Sequence, residues 1–307
     1  MALKFGLGLP CIHPMGTPPW SDEQVVAGVE AVAKKADALG YDLLSCCDHS
    51  VIPTERGTDM GARWFDALAT LSYVAGMTRN VRVLTSVLVL PYRSPFDVAK
   101  AYGTLDTLSS GRLILGVGIG HLVREFETMK ANYAERAAVT DEYIQILKAL
   151  WSKDAAGFSG KYWKFDPVMI SPRPAQQPHP PIWVGGNSRA AAKRAALYGE
   201  GWHPFSITPE EYRDRMAAVK EVVAKTGRTA PLVRNAPVGV IAPSAVHKSP
   251  IPGALATAEQ TCAKIQEYLD AGATNIYANF RYRELSHLLE SMDWFAKEIM
   301  PRYREST

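Results

Sequence analysis

Val81-Arg-Val-Leu-Thr-Ser-Val-Leu-Val-Leu90, then residues 95–109, then Arg112-Leu-Ile-Leu-Gly-Val117 make up the stretch that decides the fold. Its first and last runs are apolar nearly throughout, as strands covered on both faces must be. Between them, residues 95–109 carry a proline in the first turn and stop before Gly111, which is how a helix starts and ends. Strand, helix, strand in that order makes a βαβ unit with parallel strands.

The alternation continues toward the N-terminus. Residues 4–10 read as the first strand. Ser21 with Gln24 has capping-box spacing, and Val25, Val29, Val32, Ala36 and Leu39 share one helical face before Gly40 closes it. Residues 41–47 form a second strand, 48–62 a long polar loop and 64–79 a helix. Toward the C-terminus come a helix over 134–152 and a Gly/Pro-rich excursion over 157–181. A short strand over 181–185 and an Ala-rich helix over 188–198 follow. Strands over 201–205, 232–241 and 273–280 then alternate with helices over 209–225, 257–271 and 283–300. Eight β-then-α units predict an α/β fold, a (β/α)8 TIM barrel with an insertion after strand 4, as one domain over residues 1–307. A doubly wound open sheet is the alternative, since closure is not written in a sequence.

Composition narrows the function classes. Of 307 residues, 47% are hydrophobic and 21% charged, the balance of a globular chain. Lys+Arg less Asp+Glu is 34 − 31 = +3 with no block of like charge, so neither a nucleic-acid nor a membrane partner is expected. No apolar run is long enough to cross a membrane, and residues 1–10 do not read as a signal peptide. Cys11, Cys46, Cys47 and Cys262 show no CxxC spacing and read as reduced thiols, so a cytoplasmic location is expected.

In a barrel of this kind chemistry sits beyond the C-terminal ends of the strands. There the sequence places Pro10 to His13, Asp48-His49, Thr85-Ser86 and then Pro91-Tyr92-Arg93, Gly116-Val-Gly118-Ile-Gly120-His121, Gly185-Gly186-Asn187-Ser188 and Trp202-His203. Gly185-Gly186-Asn187 runs into a helix, where free N–H groups suit a phosphate; a tight turn capped by Asn187 or Ser188 accounts for the same residues. The glycines at 116–120 lack the spacing of a dinucleotide fingerprint. Asp48-His49 is a candidate acid/base or ring-contacting pair, with a backbone-capping loop as the plain reading. Asp48, His49, His13, His121 and His203 could also meet as metal ligands, which keeps metal-assisted hydrolysis as a rival enzyme class.

Thr85 to Pro95, Thr104 to Ser109 and Gly111 to Gly120 together resemble the bacterial luciferase-like flavin and deazaflavin oxidoreductases. Glu125-Phe126, Arg136, Asp141-Glu142, Leu150-Trp151, Pro180 to Gly186 and Gly199 to Trp202 extend the likeness over most of residues 1–205. It looks nearest to the branch that uses coenzyme F420, a 5-deazaflavin. The resemblance implies hydride transfer between F420 and a small-molecule substrate, with FMN and a monooxygenase reaction as the alternative. A cofactor-binding protein without turnover is the non-enzymatic reading. It further implies that Asp48 and His49 lie near the ring, with His49 catalytic, and that Ser86 and Val87 form a strand-three bulge behind it with a cis peptide between them. Gly118, Gly120 and His121 would line the cofactor tail, and Gly185, Gly186 and Asn187 would take its phosphate. His121 departs from the Trp or Glu of many relatives, and Gly199-Glu-Gly replaces the commoner Gly-Asp-Gly. Arg124, Arg189 and Lys193 could face a polyanionic tail or be plain surface charge. A homodimer through helices beside strands two to four is also implied, with Trp64, Phe65, Leu68, Leu71 and Tyr73 as apolar surface.

Overall fold

The strands follow one another as β1 (Lys4–Gly8), β2 (Leu43–Cys46), β3 (Arg82–Thr85), β4 (Leu88–Val89), β5 (Leu113–Gly118), β6 (Ala156–Ser159), β7 (Lys164–Val168), β8 (Ile182–Gly185), β9 (Gly201–His203), β10 (Val233–Ile241) and β11 (Asn275–Phe280). The helices are α1 (Asp22–Leu39), α2 (Gly57–Met60), α3 (Ala67–Met77), α4 (Pro95–Leu108), α5 (Val123–Thr128), α6 (Arg136–Ser152), α7 (Arg189–Tyr198), α8 (Pro209–Thr226), α9 (Ala258–Asp270) and α10 (Leu285–Glu298). This is a computed structural model, and it describes residues 2–11, 20–247, 249 and 251–303.

Eight of the strands close into a parallel barrel in the order β1-β2-β3-β5-β8-β9-β10-β11. The two closing contacts are β1 with β11 and β3 with β5, the latter pairing Val83 with Leu113 and Leu84 with Ile114. The (β/α)8 reading therefore holds, and the open sheet does not. Local signals act as expected. Ser21 Oγ accepts from the Gln24 amide while Gln24 Oε1 accepts from the Ser21 amide, and Gly40 ends α1 in the left-handed region at φ 77°. Thr208 with Glu211 and Thr257 with Gln260 form two more capping boxes at α8 and α9.

Four segments differ from the sequence reading. The run 81–90 is not one strand: β3 ends at Thr85, the Ser86–Val87 peptide is cis, and the chain resumes on β5 as β4, with Leu88 opposite Val117. The loop 48–62 contains a short helical turn at Thr54–Arg56 and then α2. Between α6 and β8 the excursion folds an antiparallel hairpin, β6–β7, whose Phe165 packs edge-on to Phe96 of α4. Helix α5 is short and carries only Glu125 and Phe126 inward, too few apolar positions to announce a helix.

Two cores result. One lies between the strands and the ring of helices. The other fills the barrel, with Leu43, Leu84, Ile114 and Trp183 packed together against Val233 and Tyr277. Because side chains alternate along a strand, the next inward positions toward the C-terminal ends are Ser45, Ser86, His203 and Asn235. The barrel floor is apolar and its upper layer polar, which sets the site at the upper rim.

Candidate active site

Asp48 follows β2 and is buried. It accepts from the Val89 amide at 3.0 Å and pairs with Arg93 Nη2 at 2.8 Å. Burial raises its carboxyl pKa, with the Arg93 charge and the amide pulling the other way. Its bonds thus serve to position β4 and the turn after it. A cavity of about 350 Å³ opens beside Arg93, with Asp66, Tyr92, Asp97 and Tyr102 in its wall.

His49 is held by Glu125. Its Nδ1 lies 2.9 Å from Glu125 Oε2, and the same fully buried carboxylate accepts from the Ser50 and Val51 amides and from Tyr92 Oη at 3.1 Å. Burial alone would raise the Glu125 pKa. The hydrogen bond and charge of His49, with the two amides, outweigh that and hold the carboxyl below its ordinary value. An anionic Glu125 makes Nδ1 of His49 the protonated nitrogen and leaves Nε2 for exchange with a ligand. Trp64 stands edge-on to the imidazole with ring centroids 4.5 Å apart, and His121 lies 5.7 Å away. Burial lowers the His121 pKa, helped by His49.

Beyond β3, Ser86 and Val87 form the bulge. Val87 points its methyl groups where side chains at two glycines would be: a Cβ on Gly118 would lie 2.5 Å from Val87, and one on Gly185 2.6 Å. Those glycines are accounted for by packing against Val87. Gly120, at φ 75°, likewise gives its side-chain space to Phe126 and Val89. Gly186 differs. At φ 114° it sits where L-residues rarely go, and an added Cβ would meet only Ala191, at 3.1 Å. Ser188, not Asn187, caps α7, by accepting from the Ala191 amide. Asn187 commits its amide to the chain after β9, accepting from the Phe205 amide at 2.8 Å and donating to the Phe205 carbonyl, while Arg215 Nε donates to the Asn187 carbonyl at 2.8 Å.

Across the barrel, Ser86 Oγ lies 2.9 Å from His203 Nε2, and Asn235 Nδ2 lies 2.7 Å from His203 Nδ1. The metal-ligand grouping does not assemble among the described residues. His49 and His121 are near one another, but His203 is committed to Ser86 and Asn235, and no three His, Cys, Asp or Glu side chains converge. His13 lies outside the described residues.

Sequence reasoning placed Tyr92 and Arg93 at the rim without giving them a role, and it missed Glu125 and Asn235 as site residues. Glu125 carried a signal, an acid set just beyond a glycine-rich strand end, and Asn235 carried none. The proposed basic face is also altered: Arg189 pairs with Asp214 and Glu221, Lys193 with Glu221, and Arg124 more loosely with Glu55 and Glu127. All four cysteines are free, and no described helix is long and apolar enough to cross a membrane.

A family model described as luciferase-like monooxygenase matches residues 9–301. Among curated proteins, an uncharacterized protein of Mycobacterium bovis is 30% identical over 212 residues, 65% of this chain and 73% of its own. An F420-dependent glucose-6-phosphate dehydrogenase of Amycolatopsis mediterranei is 34% identical over 195 residues, 62% of this chain and 57% of the enzyme. Among solved structures, a monooxygenase from Streptomyces bottropensis superposes with TM-score 0.82 at 22% identity, covering 98% of this chain and 100% of that one. An F420-dependent secondary alcohol dehydrogenase gives 0.77 at 18%, covering 99% and 100%. At those identities the structures speak for the fold.

Proposed function

The chain belongs to the luciferase-like monooxygenase family, and we propose that it is an oxidoreductase that moves a hydride between coenzyme F420 and a small organic substrate. The observation that carries this reading is the pair of neighbouring strand ends at β2 and β3. One presents a histidine oriented by a buried carboxylate, the other a bulged Ser86–Val87 backbone. The residues present fit a phosphate-bearing tricyclic ring. Ser86 and Val87 would back the ring, Trp64 and His121 would flank His49, and the Gly186 backbone at the start of α7 would receive the phosphate.

A bound deazaflavin supplies two-electron chemistry at a ring carbon. The chain must exclude water, orient the acceptor and manage one proton. His49 suits the last of these roles. With Nδ1 donating to Glu125, its Nε2 can hand a proton to substrate or take one away, and Glu125 steadies the imidazolium that forms. Asp48, tied to Arg93 and the Val89 amide, positions the bulge.

One observation favours FMN as a second reading. The cations around the phosphate turn are already committed, Arg215 to the Asn187 carbonyl and Asp214, Arg189 to Asp214 and Glu221, and Lys193 to Glu221, which leaves less charge for a polyanionic tail. Titrating the protein with F420 and with FMN, followed by ring absorbance, separates the two. With the ring that binds, His49→Gln should cut turnover about 10²–10⁴-fold while keeping ring affinity. Unchanged turnover would reject the role of His49, and ring binding with no acceptor reduced would favour a binding protein. A homodimer is part of the same proposal and is read by light scattering. Its surface must be sought beyond the 64–73 run, where Leu71 is fully buried, Phe65 and Leu68 pack on the core, and Tyr73 is the exposed member.

A further inference from the structure

We propose that Asn235 and His203 are positioning residues that fix the Ser86 hydroxyl as a hydrogen-bond donor into the barrel mouth, toward an acceptor atom of the bound ring. The inference rests on the reading of the rim as a cofactor site. Three strands contribute: Asn235 from within β10, His203 from the end of β9 and Ser86 just past β3. His203 and Asn235 are buried while Ser86 is half-buried, so the chain of groups runs from the interior to the rim.

The polarity follows from donor and acceptor inventories. An amide nitrogen can only donate, so Asn235 Nδ2, at 2.7 Å, makes His203 Nδ1 an acceptor. A neutral imidazole carries one hydrogen, which must then be on Nε2 and must be donated to Ser86 Oγ at 2.9 Å. The described groups bonded to or stacked near His203 are uncharged: besides Ser86 and Asn235, Trp183 and Tyr277 stand 6.2 Å and 5.4 Å away between ring centroids, and burial drives the imidazole pKa down to about 4. A hydroxyl that accepts from His203 has its own hydrogen to give, and accepting strengthens it as a donor. The Ser86 amide is engaged by the Cys46 carbonyl at 2.7 Å, so the residue is held at its backbone while its hydroxyl is aimed by the ring.

The decisive variant is Asn235→Asp, which keeps shape and reverses polarity. A carboxylate accepts from Nδ1–H, leaves Nε2 with a lone pair, and turns Ser86 into a donor toward His203. In the uniformly 15N-labelled wild-type protein, long-range ring correlations should show Nε2 protonated and Nδ1 bare, and Asn235→Asp should exchange the two. Ring affinity, measured with F420 and with FMN, should fall by up to about tenfold in Asn235→Asp and in Ser86→Ala, with no further loss in the double variant. Ser86→Thr, which keeps the hydroxyl, should restore part of it. Wild-type His203 protonated at Nδ1, or wild-type affinity in a folded Asn235→Asp whose tautomer has switched, would overturn the relay. Failure of the wild type to bind either ring would overturn the cofactor reading instead, and the tautomer signal then decides the polarity of the triad by itself.

Discussion

Two histidines stand at the rim, and the protein treats them in opposite ways. His49 at the end of β2 is paired with a buried anion, Glu125, inside a cluster that also holds Asp48 and Arg93. His203 at the end of β9 is more deeply buried and sees an amide, a hydroxyl and two aromatic rings. The first has a buried carboxylate as its hydrogen-bond partner. The second is equipped to stay neutral, because burial lowers its pKa and its described partners carry no charge to oppose that. One residue type thus meets an ionic partner on one wall and only neutral hydrogen-bond partners on the other. Partners and burial, rather than the imidazole itself, set the division.

The largest break in this comparison should come from Glu125→Ala. It strands the Ser50 and Val51 amides, the Tyr92 hydroxyl and His49 around a space closed to solvent, and should cost about 3–5 kcal/mol in denaturant unfolding. An effect below about 1 kcal/mol would mean that the cluster relaxes and that His49 is not held as described.

Acid should separate the two walls by where stability is lost. The folded His203 pKa lies at about 4, below the ordinary 6.5, so the unfolded chain binds the extra proton first. Stability then falls as pH drops from about 6.5 toward 4, by about 3 kcal/mol at the low end, with no contribution above that window. Glu125 has its pKa lowered, so its stabilisation is complete above the unfolded carboxyl value and is lost only as pH falls through the depressed folded one. In His203→Gln most of the loss between pH 6.5 and 4 should disappear, leaving the part owed to His121, whose pKa is also lowered, and the more acidic loss of Glu125. An unaltered pH profile in that variant would show that His203 is not the group responsible.

The smallest effect sharpens the charged wall alone. Tyr92→Phe removes one donor from Glu125 and leaves three, for about 1.5 kcal/mol, the low end for a hydrogen bond to a charged group. Its pH profile in the His203 window should match the wild type; a change there would show that the two walls are coupled.

The sequence carried the frame of the molecule because that frame is made of local periodicities. Apolar runs such as 112–117, the Ser21–Gln24 capping box and Gly40 each report on a few adjacent residues, and each recurs in the structure. The Ser86–Val87 bulge was legible only through family likeness. Nothing in Val-Leu-Thr-Ser-Val-Leu breaks the strand pattern, and the interruption fits because Gly118 and Gly185, from two other strands, leave room for Val87. Gly185 and Gly118 stood out in the sequence as ligand approaches, and the fold gives them a packing reason. Gly186 retains an open one.

What the sequence determined by itself was the alternation of strands and helices, the apolar faces and the rim positions of Asp48, His49, Ser86 and His203, since these follow from repeat lengths of two and 3.6 residues. What only the tertiary structure decided was who meets whom at that rim. Glu125 reaches His49 across 76 positions and Ser86 meets His203 across 117, and no local pattern encodes such separations. Barrel closure sets them, by fixing the register between neighbouring strands. The partners each histidine meets are then a property of the closed barrel.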